Sequence, residues 1–290
     1  MNNIDLDKNV FNNNPSALCP YIDMLLKNKE VFERNNTDDK LRIMFRGHSD
    51  ANYSLCPSVF RDNNLPKEEQ MVSELKRTEP QEFETCSSQF EYLVKMQHYN
   101  LPTRLFDVTF NPLVALYFAC RDTNKLDKYG MVYTFIDYAH SPDEPCIQRN
   151  AMLSAYSGST PKELAEFFHL DSDLIKPDRT PDKEFLKSFF GESYYAVVPP
   201  LNNERIRRQH GAFLLFGLNL DGQSNPFQKE AFCINPPCKI GNNIINGVGI
   251  LPSWKKQILK ELDCMGINQA SLFPELEHQA AYIKRKYCGS

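Results

Sequence analysis

Residues 96–120, MQHYNLPTRLFDVTFNPLVALYFAC, carry the strongest structural signal in this chain. It contains a short apolar strand, 105–108, followed at once by a helical segment with almost no polar face. Asn111 is a residue type that caps helices, and Pro112 takes the first helical position, where a missing N–H costs least. Because residues 113–120 are apolar on every side, we expect this helix to be buried.

Composition predicts an ordinary soluble, cytoplasmic globular protein. The 290 residues are 41% hydrophobic and 24% charged, and the formal net charge is −4. That charge supplies no global basic field for nucleic acid or an anionic membrane, although it allows a local basic groove. The nine cysteines form no close pair, and we find neither a signal peptide nor an apolar run of the ~20 residues that a membrane span needs.

Apolar periodicity predicts one α+β domain with flanking helices. We expect residues 1–14 to be a flexible leader, 15–290 to be the domain, and 141–192 to be an elaboration within it. The predicted helices begin near residues 15, 66, 80, 112, 253 and 274, and two short helical patterns occur at 162–169 and 182–190. The predicted strands are 41–45, 105–108, 131–136, 194–198, 212–218, 231–234 and 247–251.

The tripeptide Phe45-Arg46-Gly47 is the first candidate for chemistry. An arginine at the end of a buried strand presents a planar fork of donors, and the glycine lets a ligand approach the backbone closely. This combination suits recognition of a phosphate or a carboxylate. The alternative is an arginine paired with a structural acid and a glycine that only serves a turn.

The second candidate lies within the opening stretch. His98 and Arg104 flank a turn, and Asp107 and Thr109 share one face of the following strand. A carboxylate there needs a strong partner, for which Arg104 and Arg46 are both available. The residues therefore form either a site or a structural ion pair with a capping threonine, and His98 is either catalytic or a hydrogen-bonded core histidine.

A basic run before the apolar strand 212–218 is the third candidate. Its arginines, Arg205, Arg207 and Arg208, bind phosphate or belong to a solvated loop. Gln209 stands at the start of the strand, where side chains often reach into a cleft.

Sequence motifs for metal binding and for common nucleotide-binding sites are weak or absent. His278 with Glu275 and Glu277 has the residue types of a metal site, but no HExxH or second cluster accompanies them, so we expect no metal. GxGxxG, P-loop, GxSxG and kinase motifs do not occur. Two possibilities are left: the chain binds an unusual phosphate-bearing ligand, or it binds no small ligand.

Four segments together resemble the FRG-domain family, over roughly residues 40–285. They are FRG (45–47), QHYNLPTRLFDVTFNPLVALYFA (97–119), RRQHGAF (207–213) and GINQASLFPELEHQAAYI (266–283). Further positions that look like the family are Tyr53, Leu55, Pro57 and Arg61.

The order of parts also resembles the ADP-ribosyltransferase fold, which implies a mixed, split β-sheet core and NAD as substrate. In that fold a first strand ends in aromatic-Arg-Gly, a middle strand with Ser or Thr leads into a helix, and a late strand begins at a catalytic turn. The implied NAD-binding residues are Arg46, Gly47, Thr103, Arg104 and Thr109. The implied catalytic residues are Arg46, Asp107, Thr109, Gln209 and His98.

One departure from that fold is the missing glutamate at 209–211, where Gly211 stands instead. Asp107, Glu204 or Glu192 would have to supply the carboxylate, or none is used. We expect an NAD-dependent ADP-ribosyltransferase, a bacterial toxin or anti-phage effector that modifies nucleic acid, RNA before DNA, with an antitoxin as a candidate partner. Arg205, Arg207 and Arg208 would guide the acceptor.

Two other interpretations remain open. In one, the chain is a non-catalytic or hydrolytic nucleotide-binding module that senses a phosphate-bearing ligand through Arg46 and Arg104. In the other, it is an interaction domain whose motifs are all structural. The catalytic interpretation requires Arg46, Thr109 and Gln209 to converge on one cleft.

Overall fold

A computed structural model describes residues 16–35, 38, 40–171, 174–176, 180–220, 225–234, 238–240 and 243–288. The expected leader, 1–14, lies outside these residues. The strands are β1 (Leu41–His48), β2 (Leu105–Thr109), β3 (Gly130–His140), β4 (Tyr194–Val197), β5 (Gly211–Phe216), β6 (Cys238–Ile240) and β7 (Asn243–Ile250). The helices are α1 (Leu18–Asn35), α2 (Glu68–Thr78), α3 (Gln89–His98), α4 (Pro112–Cys120), α5 (Pro145–Met152), α6 (Pro161–Phe168), α7 (Lys183–Phe190), α8 (Glu204–Arg208), α9 (Pro252–Cys264), α10 (Gln269–Leu272) and α11 (Leu276–Cys288).

Helix α4 is the buried centre of the fold, as its sequence predicts. The side chain of Asn111 caps it by accepting a hydrogen bond from Leu113 N at 2.9 Å, and Pro112 is its first residue. It packs between β1 and α9, with α1 also in contact through the Tyr21 hydroxyl, which donates to Pro112 O at 3.0 Å. Its buried residues are Val114, Ala115, Leu116, Tyr117, Ala119 and Cys120.

Gly47 allows α4 to approach β1 closely. A Cβ at Gly47 would lie 1.8 Å from Ala115 O and 2.7 Å from Ala119 N, both backbone atoms of α4. No side chain fits between strand and helix at this point. The glycine is therefore fixed by packing within the fold.

The sheet is mixed, and five of its strands close into a ring. β1 pairs antiparallel with β3 along its whole length, β2 pairs antiparallel with β5, and β5 pairs antiparallel with β4. Two narrow contacts join these parts: the single pair Phe45↔Thr109 between β1 and β2, and two parallel pairs between β3 and β4. β7 and β6 extend the sheet from the other edge of β3. The predicted α+β fold with a mixed sheet is confirmed, and closure of the ring is additional to the prediction.

The region 141–192 contains three helices, α5 to α7. Two of them, α6 and α7, match the short helical patterns in the sequence. The apolar residues of this region, among them Leu153, Leu164, Leu186 and Phe190, form a separate core cluster together with Leu218, Leu220 and Phe227. No helix among the described residues is both long and apolar enough to span a membrane.

Two local predictions are wrong. The segment 231–234 is not a strand, because only Ile234 forms a bridge, to Leu55. The helix expected from Pro80 begins later, at Gln89, after the 3₁₀ turn Pro80–Phe83. The basic run, for which a solvated loop was one of two alternatives, contains the short helix α8, which Asn203 caps by accepting from Arg205 N at 2.9 Å.

Candidate functional site

A cleft of about 340 Å³ lies beside the single β1–β2 pair, within the size range of small-molecule sites. It is lined by parts of β1, β2, α3, α4 and the segment from Asn203 to Phe213. The structure brings together in it the predicted residues Arg46, Gly47, His98, Asp107, Thr109, Arg205 and Gln209. Arg46, Thr109 and Gln209 therefore converge on one cleft.

Arg46 crosses the gap between β1 and β2. Its Nη1 donates to Asp107 O at 2.9 Å and lies 3.3 Å from Asp107 Oδ2, and its Cζ stands 4.6 Å from the Phe106 ring centroid. Burial lowers the pKa of Arg46, against the opposing charge of Asp107, but an arginine remains protonated. Its Nε is buried without a hydrogen-bond partner, so the guanidinium still has donor capacity.

Asp107 is the one carboxylate among the described residues that line the cleft. The other four residues of β2 are buried, whereas 59% of the Asp107 side chain is exposed. Gln97 Nε2 donates to Asp107 Oδ1 at 2.7 Å. The other two carboxylates that the sequence offered do not line it: Glu204 pairs with arginines of its own helix, and Glu192 lies elsewhere on the surface.

Thr103 does not line the cleft, and its side chain contacts Gln97 instead. It is fully buried, its hydroxyl donates to Gln97 Oε1, and its Oγ1 accepts from Leu105 N at 3.2 Å. This burial contradicts the prediction that Thr103 contacts NAD. A chain of hydrogen bonds instead runs from Thr103 through Gln97 to Asp107 and Arg46.

Thr109 and Gln209 tie the late strand to the middle strand. Thr109 Oγ1 donates to Gln209 O at 2.6 Å and accepts from Asn111 N at 3.0 Å. Gln209 Nε2 donates to Leu272 O at 3.1 Å. Both side chains line the cleft, and both already stabilise the turn before β5.

His98 and Arg205 also line the cleft. Burial lowers the pKa of His98, the charge of Arg205 lowers it further, and Glu275 opposes this shift. Arg205 lies 3.9 Å from Glu275 and its Cζ is 5.0 Å from the Phe273 ring centroid. His98 is therefore neutral at neutral pH and able to accept a proton.

Arg207 and Arg208 lie outside the cleft lining. Both pair with Glu204 on the same helix, and the Arg207 side chain is 60% exposed. His278, the centre of the weak metal motif, packs against Phe273 and lies 3.7 Å from Glu277.

Arg104 lies behind the cleft in a buried ion cluster. Its Nε and Nη2 donate to Glu68 at 2.9 and 2.5 Å, and its Nη1 donates to Phe216 O at 3.0 Å. Lys229 adds a second cation 2.8 Å from Glu68. Arg104 and Glu68 are both 0% exposed, which contradicts the prediction that Arg104 binds NAD.

The sequence interpretation missed five polar residues of the lining, which are Ser58, Arg61, Gln97, Asn100 and Asn203. Arg61 donates to Cys56 O at 2.6 Å, and its Nε, like that of Arg46, is buried without a partner. The family-like segment 53–61 contained this arginine, and Gln97 stood as the one polar residue on the apolar stripe of α3. Either signal was available in the sequence.

Comparison with known proteins supports one family. Residues 41–128 match the model of the FRG domain. These residues form the part of the chain that is similar to the FRG domain. The matched FRG-domain residues include both sides of the β1–β2 gap, with Arg46, Asp107 and Thr109, and they end before Gln209. No curated protein and no solved structure matches the chain.

Proposed function

We propose that this FRG-domain protein is an NAD-dependent ADP-ribosyltransferase and that its reaction takes place in the cleft. The observation that carries the proposal is the convergence of Arg46, Asp107, Thr109 and Gln209, from three separate segments, on one cavity. The split between β1 and β2 at this cavity is compatible with the order of parts in the ADP-ribosyltransferase fold.

Three guanidinium groups suit the diphosphate of NAD. Arg46, Arg61 and Arg205 all line the cleft, and Asp107 is the one acid among its described lining residues. Planar guanidinium forks bind phosphate oxygens in pairs, so these residues would hold the nucleotide by its charge. The buried, unpartnered Nε atoms of Arg46 and Arg61 are consistent with guanidinium groups that the protein does not saturate by itself.

In the proposed chemical step the cleft residues Asp107 and His98 have separate roles. When the bond from ribose C1′ to nicotinamide breaks, positive charge develops on the ribose and nicotinamide leaves as a neutral molecule. The Asp107 carboxylate would stabilise that charge. The acceptor oxygen then bonds to C1′, and its proton passes to the neutral imidazole of His98. Atoms and charges balance with NAD and the acceptor alone.

We further propose that the acceptor is nucleic acid, RNA before DNA, as in toxin and anti-phage effectors, with an antitoxin as a partner. Helix α8 supports this, because Arg205 lines the cleft while Arg207 and Arg208 stand on the same short helix outside it. Phosphate groups of a strand laid over α8 would meet these side chains.

The alternative is a nucleotide-binding module without transferase activity. One observation favours it: the Thr109 hydroxyl and the Gln209 amide are both engaged in hydrogen bonds that stabilise the turn. A cleft with cations and few uncommitted catalytic groups suits recognition of a phosphate-bearing ligand.

The deciding experiment is incubation with NAD labelled in the adenylate phosphate, together with RNA, DNA or lysate protein. We expect label to reach RNA, and Arg46→Ala to abolish transfer while Arg42→Ala, an exposed arginine of the same strand, does not. Transfer that survives Arg46→Ala unchanged would exclude the cleft as the site. Nucleotide binding without NAD consumption, with any acceptor, would support the binding module.

A further inference from the structure

Outside the cleft, three side chains with metal-binding atoms meet at the end of β3. His140 is the last residue of β3, Glu144 directly precedes α5, and Cys146 lies in the first turn of that helix. One ligand atom from each residue lies within 4.8 Å of the others, and all three residues are half-buried. None of them lines the cleft.

We propose that His140, Glu144 and Cys146 form a zinc site. An imidazole nitrogen, a thiolate and a carboxylate are all ligands that Zn²⁺ accepts, whereas a thiolate disfavours Mg²⁺ and Ca²⁺. Three protein ligands leave the fourth tetrahedral position to water. This site is independent of the proposed transferase activity.

The backbone already holds the three residues in place. His140 pairs with Val197 of β4, and its carbonyl accepts from Val198 N at 3.0 Å. Glu144 Oε1 accepts from Ser141 N at 2.8 Å, which fixes the turn between strand and helix. Side-chain rotation is therefore the main change that ion binding requires.

The ring of Tyr195 orients the imidazole. The Tyr195 and His140 rings meet edge to face with centroids 5.0 Å apart. The Tyr195 hydroxyl is itself fixed, because it donates to Phe190 O at 3.0 Å and accepts from Glu192 N at 2.8 Å. Such outer contacts are typical of sites that fix the orientation of a ligating histidine.

His140 Nδ1 and Glu144 Oε2 lie 2.7 Å apart and share a hydrogen bond. Zn–N and Zn–O bonds of roughly 2.0–2.2 Å place such ligand atoms about 3.3 Å apart, so the pair must open by about half an ångström. On binding, the neutral imidazole carries its proton on Nε2 and the Cys146 thiol releases its proton to solvent. A quarter of the His140 side chain and 41% of the Glu144 side chain are exposed, which gives an ion access.

The test uses the full chain, reduced and freed of metal with a chelator that is then removed. Zn²⁺ is titrated against a chromophoric competitor, and Co²⁺ is added separately to look for a thiolate-to-metal absorption band. We expect one Zn²⁺ per chain, weaker binding by at least about tenfold in His140→Gln and Cys146→Ser, and loss of the Co²⁺ band in Cys146→Ser. Cys264→Ser, which changes an exposed cysteine of α9, is the matched control and should behave as wild type.

Two outcomes would overturn the site. One is a wild-type chain that binds no Zn²⁺ at micromolar concentration. The other is binding that Cys146→Ser and Cys264→Ser leave equally tight, which identifies the 2.7 Å contact as a turn cap only. Thermal melting without metal checks that each variant is folded, and Glu144→Gln replaces any variant that is not, with the same tenfold loss expected.

Discussion

Arg46 contacts Asp107 across the gap between β1 and β2. Its Nη1 lies 2.9 Å from the backbone oxygen of Asp107 and 3.3 Å from the carboxylate oxygen Oδ2. The two strands share only the pair Phe45↔Thr109, so this contact supplements a narrow junction. It also places the Arg46 guanidinium, which can bind a phosphate, next to the Asp107 carboxylate, which can stabilise positive charge on a ribose. For the proposed transferase, Asp107 is therefore the residue at which NAD binding and the chemical step should be separable.

Replacing Asp107 by asparagine should separate them. Asparagine keeps the shape but removes the negative charge, so NAD affinity should stay within about threefold while kcat falls about 100-fold. Asp127→Asn, an exposed aspartate outside the cleft, should leave both unchanged. Steady-state nicotinamide release measures both constants, and an unchanged kcat in Asp107→Asn would remove the carboxylate from the mechanism.

Gln97 should act as a positioning residue for Asp107, to which it donates at 2.7 Å. Gln97→Met removes that hydrogen bond with little change in size, and we expect kcat to fall about tenfold with KM unchanged. Gln97→Glu places two carboxylates in contact, which raises the pKa of one of them. Its rate profile should therefore move to higher pH, a shift that a merely structural role would not produce.

The sequence predicted the local parts of this site well. Strand alternation placed Asp107 and Thr109 on one face, and the Asn111–Pro112 signal located the start of α4. These features depend on residues close together in the chain. The contact between Arg46 and Asp107 is different, because the two residues lie 61 positions apart, and the sequence offered Arg46 only as one of two candidate partners.

Long-range partners could not be predicted from the sequence. Arg104 pairs with Glu68, 36 residues away, and Glu68 also pairs with Lys229, a residue that no local pattern connects to them. The need of an arginine for a partner is evident from sequence, but the choice among 37 acids depends on how the chain closes. For the same reason Arg104 was placed in the cleft instead of behind it.

The buried cluster should matter for stability and not for ligand binding. Glu68→Gln leaves Arg104 and Lys229 without their negative partner in a site that excludes water. We expect the free energy of unfolding to fall by about 3–5 kcal/mol. Glu69→Gln, the next residue on α2, should change it by less than about 0.5 kcal/mol. Urea unfolding measures both, and equal effects would show that the ion cluster contributes nothing.

Gly47 should tolerate no side chain, because a Cβ would lie 1.8 Å from Ala115 O. Since the obstacle is backbone of a buried helix, we expect Gly47→Ala to lower the free energy of unfolding by about 3 kcal/mol or more. Gly211→Ala is the matched control, because its nearest neighbour would lie at 3.5 Å, an ordinary contact. A Gly47→Ala protein as stable as Gly211→Ala would refute the packing role of this glycine.

His48 should make the protein sensitive to acid. It is 3% exposed, within an aromatic box of Tyr53, Phe106 and Tyr133, and Phe106 is also the ring beneath Arg46. Burial lowers the pKa of His48 to about 3, and the charges of Arg46 and Arg61 add to that shift. The unfolded chain, with an ordinary histidine pKa, binds a proton that the folded chain rejects.

The contribution of His48 to the free energy of unfolding is therefore fully present above about pH 7. It is lost as the pH falls from 6.5 towards 3. Between pH 7 and pH 5 the wild type should lose about 2 kcal/mol of unfolding free energy through this group, which His48→Gln, neutral throughout, does not lose. His169→Asn, an exposed histidine, should follow the wild type. Urea unfolding at pH 7, 6 and 5 measures the difference. If the free energy of unfolding depends on pH equally in the wild type and in His48→Gln, then His48 is protonated in the folded chain as readily as in the unfolded chain.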